Sequence, residues 1–236
     1  MNIGSRDPTT EEEDRIKAVY GERQDGNRYS YFNPGYLFLI HGLEKRLLFL
    51  LSRYGCEPLG TRKILEIGCG TGHWIREFIK WGARPENLAG IDLLASPIGA
   101  ARHLCPDAVT VQQGSAANLK FPDASFDLVV QFTVFTSVLD PGMKQQIASE
   151  MVRVLKPDGF ILWYDFFINN PWNPDVLGVK KREIYRLFPG CGFHLERISL
   201  APPVVRLLAP YSWLACYLLE RIPWLRTHYL GVIRKV

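Results

Sequence analysis

Cysteine is scarce, and the five that occur, Cys56, Cys69, Cys105, Cys191 and Cys216, are odd in number, widely spaced and without a C-x-x-C pair. That excludes a disulfide framework, offers no zinc site, and sets a reducing cytoplasm as the expected location. No uncharged apolar run reaches eighteen residues. The opening MNIGSRDPTTEEEDR is polar and acidic where a secretory signal would be basic and then apolar. Neither a spanning helix nor export by that route is expected. Charge of one sign is also limited: a formal +4 over 236 residues, with a pI near 8.8, falls short of the basic stripe of a nucleic-acid binder. There is no internal repeat or low-complexity tract, and no His/Asp/Glu cluster at ligand spacing asks for a metal.

What is present suits one α/β domain: 47 % apolar and 22 % charged residues in a length sufficient for a single sizeable core. PTTEEEDRIKAVY predicts a helix capped by Thr9 or Thr10, within a stretch of about thirty residues whose first few are expected to be frayed. GYLFLIHGLEKRLLFLLSRYG predicts a second, covering an apolar surface and stopping at Gly55. Strand-like runs then alternate with helical stretches: RKILEIG, LAGIDLL, AVTVQQG, SFDLVVQF and GFILWYDF are separated by GHWIREFIKWG, SPIGAARHLC and PGMKQQIASEMVRVLKPDG. Such alternation predicts parallel strands joined by crossover helices. The last helix has Pro141 at its start and a Pro157-Asp158-Gly159 turn beyond its end. Two late strands, FHLERISLA and HYLGVIRKV, flank a proline-broken helical insertion rich in Trp and Arg.

Residues 63 to 72 read KILEIGCGTG, a strand that breaks into a glycine turn ahead of a helix. Glycine there lets backbone N–H groups approach a ligand closely at the carboxyl ends of the strands. The dinucleotide fingerprint G-x-G-x-x-G would need glycine at position 73, which is His73. The spacing is instead E-x-G-x-G-x-G, through Glu66, Gly68, Gly70 and Gly72. With GIDLL, FPDASFDLVV and LKPDGFIL downstream, the segment from about 60 to 165 resembles the class I S-adenosylmethionine-dependent methyltransferases.

That resemblance implies a Rossmann-like class I methyltransferase fold: a seven-stranded, mostly parallel sheet with helices on both faces, an N-terminal helical lid and a helical insertion before the last strand. On this reading 1–236 is one domain, with a lid at 1–58, a cofactor-binding core at 59–168 and a C-terminal substrate and lid part at 169–236. It implies S-adenosylmethionine as cofactor. Glu66 either meets the cofactor ammonium or caps a neighbouring amide, and Cys69 fills the turn as a small residue. Asp92, about twenty residues on, is placed at the ribose hydroxyls, with Leu93 and Leu94 along the adenine or its sugar. Where the family often carries an acid near the adenine amine this chain has Ser115, followed by the Ala116 backbone N–H. Gln131, Phe132 and Phe135 are expected at the rim of the pocket, Phe135 being equally explicable as core. Trp74 and Trp81 are expected to be packing residues. Tyr29 and Tyr31, in the segment that closes over the cofactor in many family members, are candidate contacts to the methionine moiety or the acceptor.

An alcohol acceptor would need a base. Asp165 at the end of the fifth strand is the first candidate and His41 on the early helix the second, each with a structural alternative; His194 and His228 read as structural. The expected partner is a small-molecule acceptor, a natural product or sugar hydroxyl, with no nucleic acid, and the chain as monomer or homodimer. The tetrad (N/D/S)-P-P-(Y/F/W) of DNA and protein amide methylation is missing; the chain reads Gln131-Phe132-Thr133-Val134. VVRLLAPYSWLACYLLERIPWLR reads as an insertion buried on its own sheet, or as an amphipathic lid that docks on a membrane or receives a lipid-linked acceptor. A cofactor-binding protein with a regulatory or scaffolding role stays open. Glycine spacing disfavours a nucleotide-dependent oxidoreductase.

Overall fold

The computed structural model describes residues 7–21 and 26–236. β1 (Ile64–Ile67) is buried at every position and β2 (Leu88–Asp92) at all but its last, the pattern of parallel strands with helices on both faces. With β3 (Thr110–Gln113), β4 (Phe126–Phe132), β5 (Leu155–Phe166), β6 (Cys191–Leu200) and β7 (Arg226–Lys235), they form one sheet in the order β3-β2-β1-β4-β5-β7-β6. β1 to β5 pair in parallel, while β7 is antiparallel to both β5 and β6. From β1 the chain crosses first to β2 and later to β4, so β1 and β4 open a switch-point crevice at their carboxyl ends.

One face of the sheet is covered by α2 (Pro34–Arg53), α3 (His73–Lys80) and α4 (Ala95–Leu104), through Leu43, Leu47, Leu50, Trp74, Phe78 and Ile98. The other is covered by α1 (Pro8–Gly21), α5 (Pro141–Val154) and α6 (Lys181–Leu187), through Ile16, Met143, Ile147, Met151 and Ile184. A third, smaller cluster joins Phe38 of α2 to Val205 and Cys216 of α7 (Pro202–Leu208) and α8 (Trp213–Glu220), the helical insertion between β6 and β7.

Local signals start and stop these helices. Asn33 Oδ1 accepts from the amides of Gly35 and Tyr36 at 3.0 and 3.2 Å, Pro34 follows at the first helical position, and Gly55 (φ +65) ends the helix as expected. α1 starts at Pro8, so Thr9 and Thr10 lie inside its first turn instead of capping it. The expectation of fraying falls on residues 1–6, outside the described ones.

Three expectations change. The described residues of 1–58 do not form one lid. α1 is a brace on the far face: its Glu12 accepts from the Leu139 amide, Arg15 donates to the Ser137 carbonyl (2.6 Å) and Tyr20 to the Ser137 hydroxyl (2.7 Å). α2 is a core layer, with Leu47 and Leu50 fully buried, and residues 26–33 form the part that lies over α3. The second change concerns Pro157-Asp158-Gly159. Leu155 already pairs with Phe126 and Phe160 with Leu128, so the turn bulges out of β5 and does not precede it. Third, the insertion is buried only along one side, through Val205, Ala209 and Cys216: of the eight side chains of α8, Cys216 alone is buried.

Candidate active site

From Ile67 the chain turns through residues 68–72 into α3. Gly68, Gly70 and Gly72 all hold left-handed dihedrals (φ +68, +51 and +74). Space adds to this at two of them: a Cβ on Gly68 would lie 2.5 Å from Val134 Cγ2, and one on Gly72 2.6 Å from Cys105 Sγ. Gly68 and Cys69 donate their amides to the Ile91 carbonyl at 2.8 and 3.0 Å, lashing the turn to β2, while the Cys69 side chain is buried as a filler.

Asp92 joins the same assembly from the tip of β2. Its Oδ2 accepts from the Gly70 amide and its Oδ1 from the Leu94 amide, each at 2.9 Å. One lone pair per oxygen remains for a ligand. Burial pushes its carboxyl up, against the pull of those amides. Glu66 lies between Gly90 and Val130 in the sheet and is buried, with Oε2 lacking any partner. Burial drives its carboxyl well above the usual range, and the charge of Asp92 adds to this, against an amide of Ile75. A buried acid with one orphaned oxygen beside a second acid is a poor structural choice and a good seat for a cationic donor. The bare glycine backbone, the orphaned oxygen and Asp92 therefore fit a nucleoside with an ammonium-bearing tail.

Around this centre, Leu93 and Ala116 are half-buried against the far-face core, and the Gly114 amide ties the end of β3 to the Asp92 carbonyl (2.9 Å). Ser115 Oγ accepts from the Ala117 amide at 3.3 Å, the hydroxyl shaping this turn. Phe132, half-buried, stacks on Trp74 (4.4 Å, 21°) with Tyr164 beyond it at 6.3 Å. Trp81 donates to Glu44, a packing and bracing role. Tyr29 and Tyr31 both make edge contacts with Tyr36 (5.7 Å each), and Tyr31 reaches His73 at 6.2 Å, which sets this segment over the start of α3.

Several predicted site residues lie elsewhere. Gln131 is fully buried, its Nε2 donating to the Tyr164 carbonyl and its Oε1 accepting from the Val134 amide, so it shapes the loop after β4 and is not at the rim. Phe135 is core, against Trp163 and Phe188. Asp165 is buried too: Oδ2 accepts from the amides of Phe135 and Thr136, Oδ1 from the Thr136 hydroxyl and the Phe166 amide. Four donors saturate it. It clasps the β4 loop, where Thr133 holds a left-handed dihedral (φ +59), and offers no base to the crevice. His41 is exposed on α2 near Trp213 (6.2 Å), and His194 is exposed on β6. His228 is buried, stacked on Tyr164 (4.6 Å, 4°) and bonded through Nδ1 to Thr227 Oγ1.

Asp165→Asn is expected to cost about 2–3 kcal/mol in denaturant unfolding, because an amide NH2 must face two donors, and to leave cofactor affinity within about twofold. A large loss of affinity with unchanged stability would restore its catalytic assignment. The titration of His228 supplies a second test. Burial holds its imidazole down to about 3 from an ordinary 6.5. The unfolded chain takes the proton first, so the stability present above that ordinary value is lost as pH falls, by up to about 1.4 kcal/mol per pH unit. Asp165, pushed up to about 7 by burial, acts oppositely: its contribution is full below its ordinary value and is lost as pH rises through about 7. The readout is therefore the difference between wild type and His228→Phe, which should lose the acid-side slope.

In the sequence His73 stands out only as the glycine that a dinucleotide fingerprint would need. It opens α3 directly after Gly72, with its Nε2 buried and unpartnered and burial holding the ring below its ordinary pKa. Its place in the failed fingerprint was the signal.

Comparison with known proteins follows the same geometry. Residues 64–159 match a family model described as a methyltransferase domain. A phthiotriol/phenolphthiotriol dimycocerosates methyltransferase of Mycobacterium ulcerans is 33 % identical over 131 residues, covering 53 % of this chain and 46 % of that protein. A ubiquinone/menaquinone biosynthesis C-methyltransferase of Hahella chejuensis is 30 % identical over 174 residues, covering 72 % and 66 %. The chain thus spans about half the length of the first of these curated relatives. In shape it is similar to geranyl diphosphate C-methyltransferase from Streptomyces coelicolor, with a TM-score of 0.68 over 98 % of this chain and 100 % of that one, at 14 % identity, which is a likeness of fold. Strand order, glycine turn and matched segment coincide, and the chain belongs to the class I S-adenosylmethionine-dependent methyltransferase family.

Proposed function

We propose that this chain transfers a methyl group from S-adenosylmethionine to a small organic acceptor with an apolar body, and that the acceptor atom is the oxygen of an acidic hydroxyl. The observation that carries the cofactor half of the reading is the orphaned, buried Glu66 oxygen beneath the glycine turn, with Asp92 at the tip of the next strand. When bound, the cofactor supplies an electrophilic methyl group on a sulfonium that leaves as a neutral thioether. Glu66 accepts from its ammonium, and the free lone pairs of Asp92 hold the ribose hydroxyls. Leu93, Ser115 and the Ala116 amide border the adenine.

The remaining work is alignment and exclusion of water. Phe132, backed by Trp74, supplies a flat apolar wall, and Tyr31 closes from the N-terminal segment. A hydroxyl acceptor must also release a proton. With Asp165 saturated and His41 on the outside of α2, an acceptor that ionises more readily than an aliphatic alcohol, a phenol or enol, suits this site better than a sugar hydroxyl. Relatives named for phenolphthiotriol and for quinone biosynthesis support an acceptor with an apolar body; the second is named for transfer to carbon, so the choice of oxygen rests on the acceptor comparison below.

Calorimetry with S-adenosylhomocysteine, and with NADH as control, tests the first part: micromolar-range binding of the former and none of the latter is expected. Phenols and aliphatic alcohols are then compared by S-adenosylhomocysteine release. Faster turnover of aliphatic alcohols overturns the acidic-hydroxyl reading, and tight binding without turnover of any acceptor favours the regulatory alternative.

A further inference from the structure

Among the described residues, the insertion between β6 and β7 carries several exposed apolar side chains close together in sequence. α8, WLACYLLE, is apolar on nearly every side, a composition expected of a helix buried all round or lying at a membrane. Trp213 and Tyr217 pack on Phe38 at 5.7 and 4.9 Å. That leaves Leu214 and Leu218, four residues apart on one face, 69 % and 55 % exposed. Leu207 of α7 (69 %), Tyr211 in the connecting turn (86 %) and Trp224 after α8 (85 %) are exposed with them. Single exposed apolar residues need no explanation; five from one insertion of about twenty-five residues do.

The charge around them has a sign. Residues 202–226 carry three arginines against Glu220. Arg206 also sits against the start of α2, its Cα 3.3 Å from where a Gly35 Cβ would be, and close enough to Arg28 to feel its charge. Among the described residues neither Arg28 nor Arg206 nor Arg221 has a carboxylate partner. Arg206 is followed in sequence by Leu207 and Arg221 stands three residues before Trp224, and such a mixture of unpaired guanidiniums with exposed Trp, Tyr and Leu suits an anionic headgroup layer, where each cation contributes about 1 kcal/mol. A second copy of this chain fits less well, since a twofold contact would set the same arginines against themselves.

We infer that the α7–α8 insertion is a docking surface for an anionic lipid bilayer. Its placement adds a consequence. The insertion leaves the sheet at Leu200 and re-enters at Arg226, and His228 pairs with Phe166 at the carboxyl end of β5. This is the end of the sheet on which the glycine turn and Asp92 lie, so a docked molecule holds its crevice beside the lipid surface. Docking does not depend on methyl transfer, and its test reads binding alone.

The full chain is sedimented with vesicles of phosphatidylcholine, and with vesicles of equal parts phosphatidylcholine and phosphatidylglycerol. Binding to the mixed vesicles, weakened about tenfold or more by raised salt or by the neutral lipid alone, is expected. Leu214→Ser with Trp224→Ser should weaken it at least tenfold, and Arg28→Glu with Arg206→Glu should reduce it to the neutral-lipid level. Circular dichroism and S-adenosylhomocysteine affinity, unchanged, show that these variants fold. No binding of the wild type to the mixed vesicles overturns the inference, as does binding indifferent to all four substitutions. So does a dimer in light scattering that Leu214→Ser and Trp224→Ser dissolve, because a second copy would then cover this face.

Discussion

Asp92→Ala is expected to weaken S-adenosylhomocysteine binding by about a hundredfold. Two charge-assisted hydrogen bonds to ribose hydroxyls are each worth roughly 1.5 kcal/mol or more, and 1.4 kcal/mol is tenfold. The same change orphans the Gly70 and Leu94 amides that Asp92 now accepts from, so stability should fall by about 1–3 kcal/mol. Calorimetry at a temperature where the variant is folded separates the two effects; undiminished affinity there removes Asp92 from the ribose. Glu66→Gln gives a contrast of sign. Its charged form is disfavoured by burial and by Asp92, so a neutral amide of the same shape should leave the free protein as stable or more so near neutral pH. Losing the anionic partner of the ammonium should weaken binding by about tenfold. Stability gained and affinity lost in one variant would mark Glu66 as kept for the ligand.

Gly231→Ala carries the largest expected loss of stability, about 4 kcal/mol or failure to fold. Gly231 lies in β7 between Trp163 and Leu195, and a Cβ there would overlap the His194 carbonyl oxygen and sit 2.7 Å from Leu195 Cδ2. Backbone on a paired strand cannot step aside, so relief requires β6 and β7 to separate. Gly99→Ala in α4 is the control. Nothing lies within 4 Å of a Cβ at that position, and the change should stabilise by about 0.5–1 kcal/mol. Equal effects at the two sites in urea unfolding would show that strand pairing around Gly231 is looser than described.

The centre of the sheet was legible because β1, β2 and β4 are buried on both faces. Runs such as ILEI and LVVQF are continuous apolar segments bounded by glycine or charge, and the positive dihedrals of Gly68, Gly70 and Gly72 follow from their spacing with the strand before and the helix after. What escaped is non-local. Asp165 stands at a strand end whether it faces a ligand or a loop, and only the arrival of Phe135 and Thr136, thirty residues away in sequence, decides for the loop. Gln131 is a similar case. The brace made by α1 depends on Glu12 and Arg15 meeting residues 137–139, contacts no helical periodicity encodes. At Pro157-Asp158-Gly159 the local turn chemistry was right, but pairing of Leu155 across the bulge extended the strand beneath it. For α8, apolar content predicted burial, and its exposure depends on what packs nearby.

The position of β7 bears on how the polypeptide assembles as it leaves the ribosome. β1 to β5 can hydrogen-bond to one another as they emerge, so the nucleotide-facing half can condense early. β6 emerges next with no neighbour to accept it, since among the described residues its one strand partner is β7, synthesised after it. Until β7 slots between β5 and β6, a ten-residue strand and the edge of β5 stay open to other nascent chains.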